Sequence, residues 1–151
     1  MASQLLAGVH IASVAEAMAF GACLGLNTQN LFDIISNAGG NSWMFGNRVP
    51  HMLENDYTPH LAIDIFVKDL GIVLHESRGL KIPLHISADA HQQFLLGSAA
   101  GWGRWDDAAV IKIFEKLCSV MRLSLFPNKL LPEIKFRVQS VFTANTHLSQ
   151  R

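Results

Sequence analysis

Between Leu61 and Leu74 the chain is apolar on nearly every side of a helix. At 100° per residue, Leu61, Ile63, Ile65, Phe66, Val67, Leu70, Ile72, Val73 and Leu74 cover most of the circumference. Such a helix is stable only when other elements surround it, so the sequence predicts a many-helix bundle with this segment inside. Its polar residues fall into two narrow seams. Asp64, Lys68, Gly71 and His75 line one, and Asp69 and Glu76 share another. Charges in such a run have two readings: an Asp64–Lys68 ion pair on an exposed edge, or a lysine reaching a ligand beside backbone that Gly71 leaves bare.

The rest of the chain reads as helices joined by turns. From Ala2 to about Leu24 runs a long alanine-rich helix former with Gly8, Ala12, Ala15, Ala19 and Ala22 on one face, flat enough for a second helix to approach closely. Gly25 is a stop, and Asn27 caps a second helix ending at Gly39-Gly40. Ser42 opens a third segment with Trp43, Met44 and Phe45, which is expected to break at Pro50. After Asn55-Asp56-Tyr57-Thr58-Pro59 the central helix runs to Gly79, and Pro83 suits the first turn of the next. A glycine-rich loop is expected from Gly97 to Trp105, then a last helix from Asp107 to about Leu117 with Asp106 as its cap. No stretch alternates as a strand does. The expected fold is all-α, about six to seven helices with a long first one, occupying residues 1–117. Beyond Cys118, five basic residues against Glu133 make 118–151 a separate basic tail of formal charge 5 − 1 = +4, with a helix around Ile134 to Phe142.

Composition narrows the partners. Half of the 151 residues are hydrophobic and 16% are charged, so a large core or a large interface is implied, and a homodimer or higher homo-oligomer is expected through the flat face. Lysine plus arginine equal aspartate plus glutamate at 12 each. That balance gives no overall field to attract nucleic acid or an anionic membrane, and neither is expected as a partner. Gln4, His10, Ser13 and Glu16 interrupt the first apolar stretch, against a signal peptide or a membrane span. Cys23 and Cys118 form neither a metal spacing nor a disulfide framework, and Cys23 among alanines reads as a small buried thiol. A cytoplasmic protein is the expectation.

No catalytic constellation stands on its own. Gly101-Trp102-Gly103-Arg104-Trp105-Asp106 superficially opens like a dinucleotide fingerprint, but that motif needs a strand before it and a βαβ unit around it. A helix-to-helix turn capped by Asp106 is the better reading. The seven histidines are scattered, and no metal site is expected.

Several motifs in order nevertheless resemble one family. Ala15-Glu16-Ala17 with Gly25-Leu26, Asn41-Ser42-Trp43, Lys68-Asp69-Leu70-Gly71, Pro83-Leu84, and Gly101-Trp102-Gly103 with Asp106-Asp107 follow the order of the C-terminal helical domain of the β-hydroxyacid dehydrogenases. That family includes 3-hydroxyisobutyrate and threonate dehydrogenases. The resemblance covers about Gln4 to Leu117, and looks closest to the dehydrogenase segment of large plant proteins fused to an aldolase-like domain.

The resemblance implies a helical substrate-binding and dimerisation domain that meets NAD or NADP held by a Rossmann half. It implies cofactor-binding roles for Lys68 and Asp69. The family's motif continues to an alanine and an aspartate, where this chain has Val73 and His75. The family's catalytic lysine stands four residues before an asparagine that Ser3 replaces here, so no catalytic residue is assigned within the sequence and the chain is expected to be inactive alone. A small hydroxy acid would be the substrate of the completed enzyme. The alternative function is a non-enzymatic helical self-association protein derived from the family.

Overall fold

The structure is a computed structural model describing residues 1–124; the possible helix at Ile134 to Phe142 lies outside the described residues. Six α-helices follow one another: α1 (Ala2–Cys23), α2 (Thr28–Ser36), α3 (Trp43–Glu54), α4 (Ile63–Leu80), α5 (His85–Gly97) and α6 (Ile111–Ser124). A wide turn of π-helical type, Ser98–Trp102, continues from α5, and a 3₁₀ turn, Asp107–Val110, leads into α6. Among the described residues there is no strand, only an isolated bridge between Ala62 and Asp106.

Local chemistry sets most of the boundaries. Asn27 accepts from the Asn30 amide at 2.9 Å to cap α2, and Ser42 accepts from the Phe45 amide at 3.0 Å to cap α3. Asp106 accepts from the Ala108 amide at 3.0 Å at the 3₁₀ turn. Several boundaries differ from expectation. α3 runs through Pro50 to Glu54. An interior proline costs roughly 3 kcal/mol, but Val49 and Met52 flanking it are buried, and each such burial contributes about 1.5–3 kcal/mol. α4 passes Gly79 and stops one residue later, where Lys81 takes the left-handed conformation, φ 57°, in place of a glycine. Pro83 precedes α5 rather than sitting in its first turn. α6 also continues past residue 117, so the expected start of the basic tail falls inside a helix.

α1 is the axis of the bundle and touches each of the other five α-helices. By length and composition it could cross a membrane, but half of that stretch is buried inside the fold, as in the core helix of a globular protein. The core is centred on Ile11, Met18, Phe45, Val49, Ile63, Phe66, Leu70, Phe94 and Val110. Phe66 of α4 stacks on Phe94 of α5 with ring centroids 5.0 Å apart.

The small-residue face of α1 is consumed within the chain, contrary to its expected use between copies. Gly8, Ala12, Ala15 and Ala19 are buried. A Cβ on Gly8 would lie 3.0 Å from both Leu70 Cδ1 and Phe66 Cδ1, so the missing side chain is what lets α4 approach. The two cysteines also correct the reading of them as thiols: Cys23, the last residue of α1, is bonded to Cys118 of α6, closing the chain across 95 positions. Their wide separation in sequence is why no spacing rule detected the pair.

Candidate functional site

The charged residues of α4 part company in the structure. The Asp64–Lys68 ion pair, one of the two readings of this seam, does not form. Asp64 lies in the first turn of α4 and accepts from the Ser98 hydroxyl at 2.6 Å, while its amide donates to the Gly103 carbonyl at 3.0 Å. Its carboxylate fills the space beside Gly103, where a Cβ would come within 2.5 Å of Asp64 Oδ2. The glycine motif is therefore a packed turn. Gly101 has φ 89°, Trp102 is buried, and Gly103 admits a carboxylate from the chain itself.

Lys68 pairs instead with its neighbour Asp69, Nζ to Oδ1 at 3.1 Å, and its side chain keeps 66% of its exposure against 17% for Asp69. The other oxygen of Asp69 accepts from the side-chain amide of Gln4 on α1 at 2.9 Å. Gln4 lies one helical turn before Gly8. The close approach of α1 and α4 at Gly8 thus brings an amide from the start of α1 to the carboxylate beside Lys68. The Gln4 hydrogen bond is the largest influence on the Asp69 carboxyl and, together with Lys68, holds it below its ordinary range although burial opposes them. Sequence reasoning missed this contact, since Gln4 and Asp69 are 65 positions apart.

Gly71 does not stand open to a ligand. The His91 ring of α5 lies over it, with Nε2 3.6 Å from where a Cβ would be and 2.9 Å from the Val67 carbonyl, the residue before Lys68. His75 is exposed.

A second polar cluster is buried and structural in character. Arg48 of α3 donates to Asp107 through Nε to Oδ1 at 2.5 Å and Nη2 to Oδ2 at 3.0 Å, and also contacts Asn47 Oδ1. Burial pushes the Asp107 carboxyl up to about 6 in spite of Arg48; burial also pulls Arg48 down, but its hydrogen bond to Asp107 and the charges of Asp107 and Asp106 leave it raised. Asp106 accepts from the His60 amide at 2.9 Å and so ties the loop before α4 to the 3₁₀ turn. The His51 and His60 rings meet edge to face, centroids 4.8 Å apart. No group of three or more histidine, cysteine, aspartate or glutamate side chains suited to a metal ion occurs among the described residues.

Residues 1–114 match the family described as NAD-binding of NADP-dependent 3-hydroxyisobutyrate dehydrogenase. The chain belongs to this family. The L-threonate dehydrogenase of Cupriavidus necator is 61% identical over 112 residues, 74% of this chain and 38% of that protein. The enzyme of the same name from Escherichia coli K12 is 54% identical over 111 residues, 74% of this chain and 37% of that protein. Among solved structures, a 3-hydroxyisobutyrate dehydrogenase from Salmonella typhimurium superposes with a TM-score of 0.73 at 51% identity, covering 74% of this chain and 39% of that one. The chain therefore spans about two fifths of the length of these dehydrogenase relatives. Lys68, Asp69 and Gln4 all lie inside the segment assigned to the family, whereas Cys118 and the last turns of α6 lie beyond it.

Proposed function

We propose that this chain is the helical half of an NAD(P)-dependent hydroxy acid dehydrogenase, acting on a four-carbon sugar acid of the threonate kind once a dinucleotide-binding half is supplied. The observation that carries the reading is the exposed Lys68 ammonium. It stands at the α1–α4 junction, inside the segment shared with the L-threonate dehydrogenases, paired on one side only by Asp69. Its remaining protons are free to meet a carboxylate, a phosphate or the carboxamide of a nicotinamide. Lys68 and Asp69 fit a contact surface for the cofactor rather than a complete site, since the glycine turn at Gly101–Gly103 is filled by Asp64 and offers no phosphate cradle.

Bound NAD(P) would supply the hydride acceptor. The chain's part is to present Lys68 and to shield the reacting groups from water with the α1–α4 face. A parent enzyme of the plant aldolase-fusion type is part of the proposal, resting on the sequence of Leu61 to Gly71 and Gly97 to Asp107 alone. A homo-oligomer is part of the proposal. A groove lined by Leu5, Leu6, Val9, Leu84 and Ile86, of which Leu6 and Ile86 are exposed, also favours the second reading, a helical self-association protein without chemistry of its own.

The test is a chimera in which residues 1–114 replace the matching segment of the Cupriavidus necator enzyme. Threonate-dependent reduction of NAD(P) by the chimera, at least tenfold reduced by Lys68→Ala without loss of melting temperature, is the expected result. A folded chimera with no turnover would favour the self-association reading. The isolated chain should give no turnover with threonate, 3-hydroxyisobutyrate or glycerate.

A further inference from the structure

Lys68 carries a long, flexible side chain, and the mostly exposed ion pair to an adjacent residue fixes it weakly. What distinguishes this pair is that its carboxylate is itself fixed from another helix. Asp69 is half-buried, with one oxygen toward Lys68 at 3.1 Å and the other accepting from Gln4 at 2.9 Å. Gln4 is half-buried one turn before Gly8, whose contact with Leu70 and Phe66 sets the spacing of the two helices.

We propose that Gln4 is a positioning residue: its amide orients the Asp69 carboxylate, which in turn sets where the Lys68 ammonium sits at the α1–α4 junction. The inference rests on the cofactor-contact reading of Lys68 for its functional meaning, but the relay itself is a property of this chain alone. It has a chemical signature. With the amide in place, one Asp69 oxygen is committed to Gln4, so the other is the one left for Lys68. Without it the carboxylate is free to turn about its side-chain bonds, and the ammonium loses a fixed partner. The lowered titration of Asp69, whose largest cause is the Gln4 hydrogen bond, agrees with that geometry.

The experiment follows the side chains in the full chain. Nuclear magnetic resonance titration of the Asp69 carboxyl carbon, together with the mobility of the Lys68 Cε, is compared among the native protein, Gln4→Leu and Lys68→Gln. Gln4→Leu should raise the Asp69 titration midpoint, as Lys68→Gln should, and should increase Lys68 mobility at unchanged melting temperature. An Asp69 midpoint identical in Gln4→Leu and the native chain overturns the relay. So does unchanged Lys68 mobility.

In the chimera, dinucleotide dissociation constants then separate this inference from the reading beneath it. Lys68→Ala should weaken binding at least tenfold and Gln4→Leu several-fold, with no further loss from Gln4→Leu when Lys68 is already alanine. A weakened Lys68→Ala with an unaffected Gln4→Leu overturns the positioning role. An unaffected Lys68→Ala overturns the cofactor reading, leaving the relay to stand or fall on the titration.

Discussion

Arg48 of α3 and Asp107 of the 3₁₀ turn meet as a two-pronged ion pair with almost no access to water, 59 positions apart in sequence. The pair joins the middle of one helix to the entry of the last. Taking two charges out of water is costly, so its value lies in being complete. Arg48→Met leaves Asp107 buried and unpartnered, and should destabilise the chain by about 3–5 kcal/mol. Replacing both, as Arg48→Met with Asp107→Leu, should recover much of the loss. Urea titration of the three proteins checks this, and a double variant no better than the single one would contradict it.

Asp107 also gives the chain a definite response to pH. Its carboxyl is raised from 3.8 to about 6 in the fold. A raised acid binds its proton more tightly in the folded chain, so its stabilising contribution is present below about pH 4 and is lost as the pH rises through about 6. The size of this change is on the order of 2–3 kcal/mol. Asp107→Asn removes it. Unfolding free energies of the native and Asp107→Asn chains should therefore diverge between pH 4 and pH 7, with the native chain losing more on the way up. Parallel profiles would count against the raised acid.

Gly8 and Ala15 test where the flat face of α1 is used. Gly8→Val puts side-chain atoms where Leu70 and Phe66 already stand, and overpacking of this kind costs typically 1–3 kcal/mol. Ala15 is fully buried, so Ala15→Leu should lower the urea midpoint and leave any self-association of the folded protein unchanged. Sedimentation equilibrium beside denaturation distinguishes this from the interface reading, in which association would weaken first.

The Cys23–Cys118 bond makes stability sensitive to reductant. For a closed loop of this length, chain-entropy reasoning sets the contribution near 4–5 kcal/mol, an upper figure because the reduced state retains some structure. Melting with and without dithiothreitol should show the drop. Cys118→Ser should melt like the reduced protein and be indifferent to reductant.

Features that reside in neighbouring residues were legible in the sequence. The caps Asn27, Ser42 and Asp106 each act within two or three positions, and their side chains state their purpose locally. The close packing of α1 was legible from its small residues, but its partner was not, because a stripe of glycine and alanine records closeness without recording what comes close. At Pro50 local preference lost to burial of Val49 and Met52. In the candidate site, Lys68 and Asp69 could be singled out from pattern and resemblance. Gln4 could not, since its contact depends on the approach of α4 at Gly8 rather than on anything adjacent to it.

The bond from Cys23 to Cys118 also fixes which end of α1 is closed. α1 rises about 1.5 Å per residue, so Cys23 stands roughly 28 Å along its axis from Gln4. Because Cys118 is fastened there, α6 is tied to α1 at the end of that helix far from Gln4, Asp69 and Lys68. The bond that locks α6 and the proposed junction with a dinucleotide-binding half therefore lie at opposite ends of α1, so the bundle is closed at one end without crowding the lysine at the other.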